Sequence, residues 1–178
     1  SKIFIVDDSK KDKISSQIKK SNLKSIHYFL RKNSKGRGSA IIYGLKKSLK
    51  KNKSMVFIEM DADFSHRPAE LKKNIKLFLD SRSDLLIASR YLDKSKIVNW
   101  PLSRHLFSRM SNILAQKVLR INVSDYTNGF RIYSTRAVGL IIKKCGKIGD
   151  GFIILSEILL VIHINRLRIK ETHSIFIN

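Results

Sequence analysis

The chain is short of cysteine, of acidic residues and of long apolar runs, and each shortage closes off a class of protein. Its single cysteine, Cys145, cannot form an intramolecular disulfide framework and supplies no zinc cluster. A reducing, cytoplasmic setting is therefore expected. The longest apolar run, Phe152 to Ile164, is interrupted by Ser156, Glu157 and His163. It falls well short of the roughly 20 residues that a membrane-spanning helix needs, so a core helix is expected there. The opening Ser1-Lys2-Ile3-Phe4-Ile5-Val6 is too short for a signal peptide and lacks a small-residue cleavage site. Only 14 Asp and Glu stand against 36 Lys and Arg, a formal net charge of +22. Such an excess attracts polyanions: nucleic acid, anionic lipid or phosphorylated substrates. The abundance of Lys, Ile, Ser and Asn together offers a second reading, a compositional bias of the source genome.

What is present suffices for a folded domain. At 178 residues, 43% hydrophobic and 28% charged, the chain can bury a core and fits one domain. Lys2 to Val6 is a β-branched run that reads as a strand and ends in Asp7-Asp8-Ser9. A weak helix is expected over Lys13 to Lys20 and a short strand over His27 to Leu30. Asn33 to Gly38 reads as a loop, followed by a helix over Ser39 to Leu49. Met55 to Met60 is a second buried strand that ends in acids, Asp61-Ala62-Asp63. Pro68 opens an amphipathic helix carrying Leu71, Ile75, Phe78 and Leu79. Further strands are expected at Leu85 to Ala88, Gly129 to Tyr133 and within Leu167 to Ile177. Helices are expected at Pro101 to Leu119, Arg136 to Lys144 and Gly151 to Ile164. Alternating strands and helices predict an α/β domain with a mostly parallel central sheet flanked by helices. Ligands of such sheets sit at the carboxyl ends of strands, where both acidic clusters fall.

Asp61 and Asp63, one residue apart just past a strand, can converge on a hard cation if the loop turns. Mg²⁺ and Mn²⁺ prefer oxygen ligands and share their shell with substrate phosphates. The competing reading is a solvated turn. At Asp7-Asp8 adjacent side chains diverge, so one of them is expected to face the cleft and accept from a ribose hydroxyl or a base N–H. The competing reading there is helix capping by Asp8 or Ser9.

These segments, taken in order, resemble family 2 glycosyltransferases. Ile5-Val6-Asp7-Asp8-Ser9 with Asp12 resembles the V-D-D-x-S-x-D motif, and Lys35 to Ala40 with Gly44 resembles G-x-G-x-A-x-x-x-G. Met60 to Pro68 resembles the M-D-A-D-L-S/Q-H-P-P segment of the polyprenol-phosphate sugar transferase branch. Ala88-Ser89-Arg90-Tyr91 is similar to its S/T-R-Y. Arg104, Ser108, Arg109 and Asn112 are similar to its R-x-x-x-S-R-x-x-N helix, and Ser124 to Arg131 to its S-D-x-T-x-G-F-R. Measured against the family pattern, the chain begins at the strand after a P-T-Y-N-E segment and stops before a basic R-x-x-G-x-S-K loop. The resemblance implies one GT-A-like, Rossmann-like catalytic domain over residues 1–178, partial at both ends.

It further implies an inverting transfer of mannose or glucose from a nucleoside diphosphate sugar, GDP-mannose or UDP-glucose, to a polyprenyl or dolichyl phosphate. Mg²⁺ or Mn²⁺ on Asp61 and Asp63, beside Ala62, would neutralise the leaving diphosphate. Asp7 or Asp8 would hold the nucleoside, with Arg37 and the main chain of Gly36 and Gly38 near the donor. A lipid phosphate is already anionic and needs no general base, only a grip. Arg90, Arg104 and Ser108 match the family's acceptor-phosphate positions, with Arg131 as a further donor and Arg109 as a solvated or lipid-facing charge. Asp125 is either the base for a hydroxyl acceptor or an orienting group for Arg131 or another cation. His66 is expected to be structural, Glu157 to pair with a cleft arginine, and Trp100 to pack or to sit at a membrane interface. Peripheral contact with the cytoplasmic face of a membrane follows, directly or through an anchoring partner. Three alternatives remain: a relative with a sugar-hydroxyl acceptor, a non-catalytic remnant that binds nucleotide, and a basic nucleic-acid module. The last leaves the carboxylates at strand ends unexplained, and no nucleic-acid partner is expected.

Overall fold

A computed structural model describes residues 1–10, 12, 14–32, 36–51, 55–148, 151 and 153–178. Along the chain run β1 (Ile3–Asp7), α1 (Ser15–Lys20), β2 (Ile26–Leu30), α2 (Arg37–Lys51) and β3 (Val56–Glu59). A 3-10 turn at Pro68–Glu70 leads into α3 (Leu71–Asp80), then β4 (Leu85–Ser89), β5 (Lys96–Val98) and α4 (Leu102–Leu119). The chain ends with β6 (Arg131–Ser134), α5 (Thr135–Lys144), α6 (Ile153–Ile164), β7 (Ile169–His173) and β8 (Ile175–Ile177). Lys13, Asn33, Ser34, Lys35 and Phe152, each part of a segment read above, lie outside the described residues.

The α/β reading holds. β3, β4 and β7 point the same way in a four-stranded sheet of order β3-β6-β4-β7. β6 is inserted antiparallel between β3 and β4, which the strand pattern did not reveal. β1 and β2 form a separate parallel pair, and so do β5 and β8. The three-residue β5 was not anticipated. Its pleat is too short for a periodic signal, and only its partner β8 makes it a strand.

The central strands are covered on both faces. All five residues of β4 are buried, and successive side chains alternate between two cores. Leu85 and Ile87 join Ile42 and Leu45 of α2, Val138 and Ile141 of α5, and Ile154, Leu155 and Ile158 of α6. Leu86 points the other way, to Ile132 of β6 and Phe78 of α3. The apolar stripes of α2, α3, α5 and α6 therefore each join a core against the sheet. Two helix faces behave differently from their pattern. Leu79 of α3 is half-exposed, and the apolar stripe of α4 faces outward: Leu102 is 83% and Phe107 75% exposed. The buried member of α4 is Asn112, whose Oδ1 accepts from the Tyr126 N–H at 2.6 Å.

The antiparallel insertion of β6 sets the site. The amino end of β6 meets the carboxyl ends of β3 and β4, so the 125–129 loop lies beside Asp61 and Arg90 at one edge of the sheet.

Candidate functional site

A cleft of about 460 Å³ opens at that edge. Asp61, Ala62, Asp63 and Ser65 form its wall beyond β3, and Arg90 enters beyond β4. Thr127, Asn128 and Gly129 supply the loop before β6, and Arg37, Arg104 and Phe176 complete the lining. Two carboxylates and three guanidinium groups thus face one space.

Asp63 is exposed, and hydrogen bonding from Ser65, whose N–H lies 3.0 Å from Oδ1, holds its carboxyl below the ordinary value. Asp61 receives Arg37 Nη1 at 2.5 Å, while Arg37 Nη2 lies 3.4 Å from Glu59. Burial opposes the charge on Arg37, but Glu59 and Asp61 more than offset it and raise its pKa. Glu59 in turn accepts from the Tyr133 hydroxyl at 2.7 Å, and burial raises its own pKa. Gly129 is what lets Arg37 lie there: a Cβ on this residue would overlap Arg37 Nη2. At the start of α2, Gly36 has φ 109°, a left-handed conformation that favours glycine, and Gly38 is buried in the first turn.

His66 links the two walls. Its Nδ1 accepts from the Asp61 N–H at 3.3 Å, which leaves the proton on Nε2 for Asn128 Oδ1 at 2.9 Å. Burial lowers its pKa, favouring that neutral form.

Arg90 and Asp125 close on one another. Nε meets Oδ2 and Nη2 meets Oδ1, both at 2.8 Å, and the Arg90 N–H adds a third bond at 2.9 Å. Nη2 also donates to Thr127 Oγ1 at 2.7 Å. Burial disfavours a charged Asp125, yet the Arg90 contacts outweigh it and hold the carboxyl below its usual range. Glu171 of β7 accepts from the N–H groups of Ser124 and Asp125, at 2.7 and 3.0 Å, and so fixes the loop behind the pair. Asp125 therefore pairs with Arg90 and not with Arg131.

Several expected site residues are placed elsewhere. Arg131 is fully buried and donates to the main-chain carbonyls of Asn128, Leu155 and Tyr126 at 2.7–2.9 Å. It braces the loop and does not line the cleft. Ser108 accepts from the Tyr91 hydroxyl at 2.7 Å and lies outside the lining. Asp7 is held by Ser9 and by the Tyr28 hydroxyl, and the Ser9 N–H leads the causes that lower its pKa. Asp8 pairs with Arg31, Nη2 to Oδ2 at 2.6 Å. Neither aspartate reaches the cleft wall. Glu157 accepts from the Gly146 N–H at 2.9 Å instead of pairing with a cleft arginine. Glu59, Asn128, Thr127, Gly129 and Glu171 were not singled out from the sequence. For the first four the one available signal was their place within or beside motifs already read; Glu171, on β7, lies beside none of them.

The sequence profile of glycosyl transferase family 2 matches residues 1–140. The chain belongs to glycosyl transferase family 2. It is 32% identical over 134 residues to a polyprenol monophosphomannose synthase of Mycolicibacterium smegmatis, covering 74% of this chain and 50% of that protein. It is 32% identical over 145 residues to an undecaprenyl-phosphate mannosyltransferase of Micrococcus luteus, covering 79% and 58%. An uncharacterized protein of Methanocaldococcus jannaschii is 30% identical over 169 residues, 95% of this chain and 67% of that one. The chain thus spans about half the length of the first two relatives. Among the described residues no helix is long and apolar enough to cross a membrane.

Proposed function

We propose that this family 2 domain serves an inverting transferase that moves mannose or glucose from a nucleoside diphosphate sugar, GDP-mannose or UDP-glucose, to a polyprenyl phosphate. One observation carries the reading: Asp61 and Asp63 line a single cleft together with Arg90 and Arg104. The carboxylates suit a cation and the guanidinium groups a phosphate. The mannosyl and polyprenyl names of the two relatives support it.

The state of Asp125 favours a phosphate acceptor over a sugar hydroxyl. A hydroxyl needs a base to take its proton. Asp125 is fully buried and both its oxygens are engaged by Arg90. A phosphate brings its own negative charge and needs only orientation, which Nη1 of Arg90 and the guanidinium of Arg104 can supply together.

Asp61 and Asp63 fit a Mg²⁺ or Mn²⁺ ion by donor chemistry, since both offer hard carboxylate oxygens to the same cleft. Among the described residues no group of three or more His, Cys, Asp or Glu is gathered, which leaves the rest of a shell to substrate oxygens and water. Bound there, the ion would neutralise charge on the departing diphosphate. Arg37, already beside Asp61, would face the same diphosphate.

The outward stripe of α4 supports peripheral contact with the cytoplasmic face of a membrane. Leu102, Leu106, Phe107 and Met110 are exposed on a helix that carries Arg104, Arg109 and Lys117 and no acidic residue. Apolar residues beside basic ones suit the headgroup region of an anionic bilayer.

The test is transfer of labelled sugar from GDP-mannose and UDP-glucose to polyprenyl phosphate, with Mn²⁺ and with a chelator. Transfer should require metal and be lost in Asp63→Asn and Arg104→Ala. Transfer to a sugar hydroxyl that survives Arg104→Ala would overturn the acceptor, and undiminished turnover in chelator would overturn the metal.

A further inference from the structure

Trp100 is the only tryptophan of the chain and lies two residues before the start of α4, ahead of its N-cap Pro101. Two guanidinium groups from different elements lie over its ring. Arg104 Cζ is 4.3 Å and Arg90 Cζ 5.3 Å from the centroid. Phe176 meets the ring edge-on at 5.4 Å, and His105 does so at 5.4 Å from α4. Arg90 Cζ also lies 5.6 Å from the Phe176 ring. The indole Nε1 is buried without a hydrogen-bond partner among the described residues, so the ring is held by its faces and edges.

The two arginines are fixed to different degrees. Arg90 is gripped by Asp125 and Thr127 and is buried. Arg104 is exposed, and its guanidinium has one described hydrogen bond, from Nη1 to Asn178 Oδ1 at 2.6 Å. A long exposed side chain keeps rotamer freedom that it must lose to hold a ligand. An electron-rich ring face removes part of that freedom beforehand, because a guanidinium is attracted to it and stacks flat on it. The same ring touches both cations, so it also sets the position of one relative to the other.

We propose that Trp100 is a positioning residue for the acceptor phosphate: it aligns Arg104 with Arg90 so that guanidinium groups from two elements act as one grip. This rests on the phosphate-acceptor reading above. Trp100 itself does not line the cleft and acts through the arginines that do. The ligand it serves is a phosphate monoester, with the Phe176 ring as the apolar wall beside the cations.

The experiment is calorimetric titration of the 178-residue chain with geranyl phosphate, a soluble isoprenyl phosphate, with inorganic phosphate as the headgroup alone. GDP with Mn²⁺ reports the donor side. Trp100→Leu is expected to weaken geranyl phosphate about fourfold, the scale of a cation–π contact to an exposed guanidinium, and to leave GDP binding unchanged. Trp100→Phe, which keeps a ring, should recover most of the loss. In the Arg104→Ala background, Trp100→Leu should add little, whereas a merely structural role would lower both ligands together and add in full. Because the emission belongs to one residue, geranyl phosphate should also change Trp100 fluorescence in the wild type and change it less in Arg104→Ala.

Geranyl phosphate affinity in Trp100→Leu within twofold of wild type would overturn the proposal while leaving the acceptor reading intact. So would full additivity with Arg104→Ala. A wild type that binds GDP but no geranyl phosphate would overturn both.

Discussion

Asp125 and Arg90 are joined by two parallel side-chain bonds of 2.8 Å across 35 residues of sequence, with the Asp125 carboxylate completely buried. A pair so enclosed costs most when one member is removed, because the other charge is left without a partner. Asp125→Ala is expected to lose roughly 3–5 kcal/mol of stability in urea unfolding. The pair also sets an acid limit. Asp125 has a folded pKa below its unfolded value, so its contribution is complete above the unfolded value of about 3.9. It is lost as pH falls through the folded value. Wild type should therefore lose its advantage over Asp125→Ala only below about pH 4, as unfolding midpoints measured against pH would show.

Gly129→Ala should disturb Arg37 more than the fold. The added methyl would overlap Arg37 Nη2 and push the guanidinium away from Asp61 and Glu59. Nucleoside diphosphate affinity should fall about tenfold or more, the loss of one charge-assisted contact of roughly 1.5–3 kcal/mol. Circular dichroism should stay native. Unchanged affinity by calorimetry would mean that Arg37 does not touch the donor.

Arg131 and Arg104, both first read as phosphate donors, should separate cleanly. Arg131→Gln strands main-chain carbonyls that the guanidinium now satisfies. A loss of at least roughly 2 kcal/mol is expected from such orphaned groups. Arg104→Ala, on an exposed side chain, should leave the unfolding midpoint nearly unmoved and weaken acceptor binding instead. Thermal unfolding alongside geranyl phosphate titration checks both.

Cys145 should be inert while the protein is folded. Burial, with Glu157 adding to it, pushes its thiol up to about 12, so almost no thiolate exists at neutral pH. Iodoacetamide should label it at a rate set by unfolding, and faster in Asp125→Ala than in wild type.

Much of the site was readable because its signals are local. A β-branched run followed by acids places Asp61 and Asp63 at a strand end, whatever the rest of the chain does. The glycines ahead of α2 and Pro68 ahead of α3 mark element starts by their own backbone chemistry. Partners were not readable in the same way. Asp7 and Asp8 look identical to Asp61 from their neighbours in sequence, yet one is tied by Tyr28 and the other by Arg31. Those tying residues sit on and just after β2, and only the pairing of β1 with β2 brings them near.

The sequence by itself determined the alternation of strands and helices, the family, and the order of the charged motifs. The alternation follows from periodicity and the family from the resemblance of its motifs, and both are carried by neighbouring residues. Only the tertiary structure decided the direction of β6, the pairing of Arg90 with Asp125, the burial of Arg131 and the outward face of α4. Each depends on what lies across space from a residue. A hydrophobic stripe states which face is apolar, not what covers it, and a charge states its sign, not which partner the fold will bring within 3 Å.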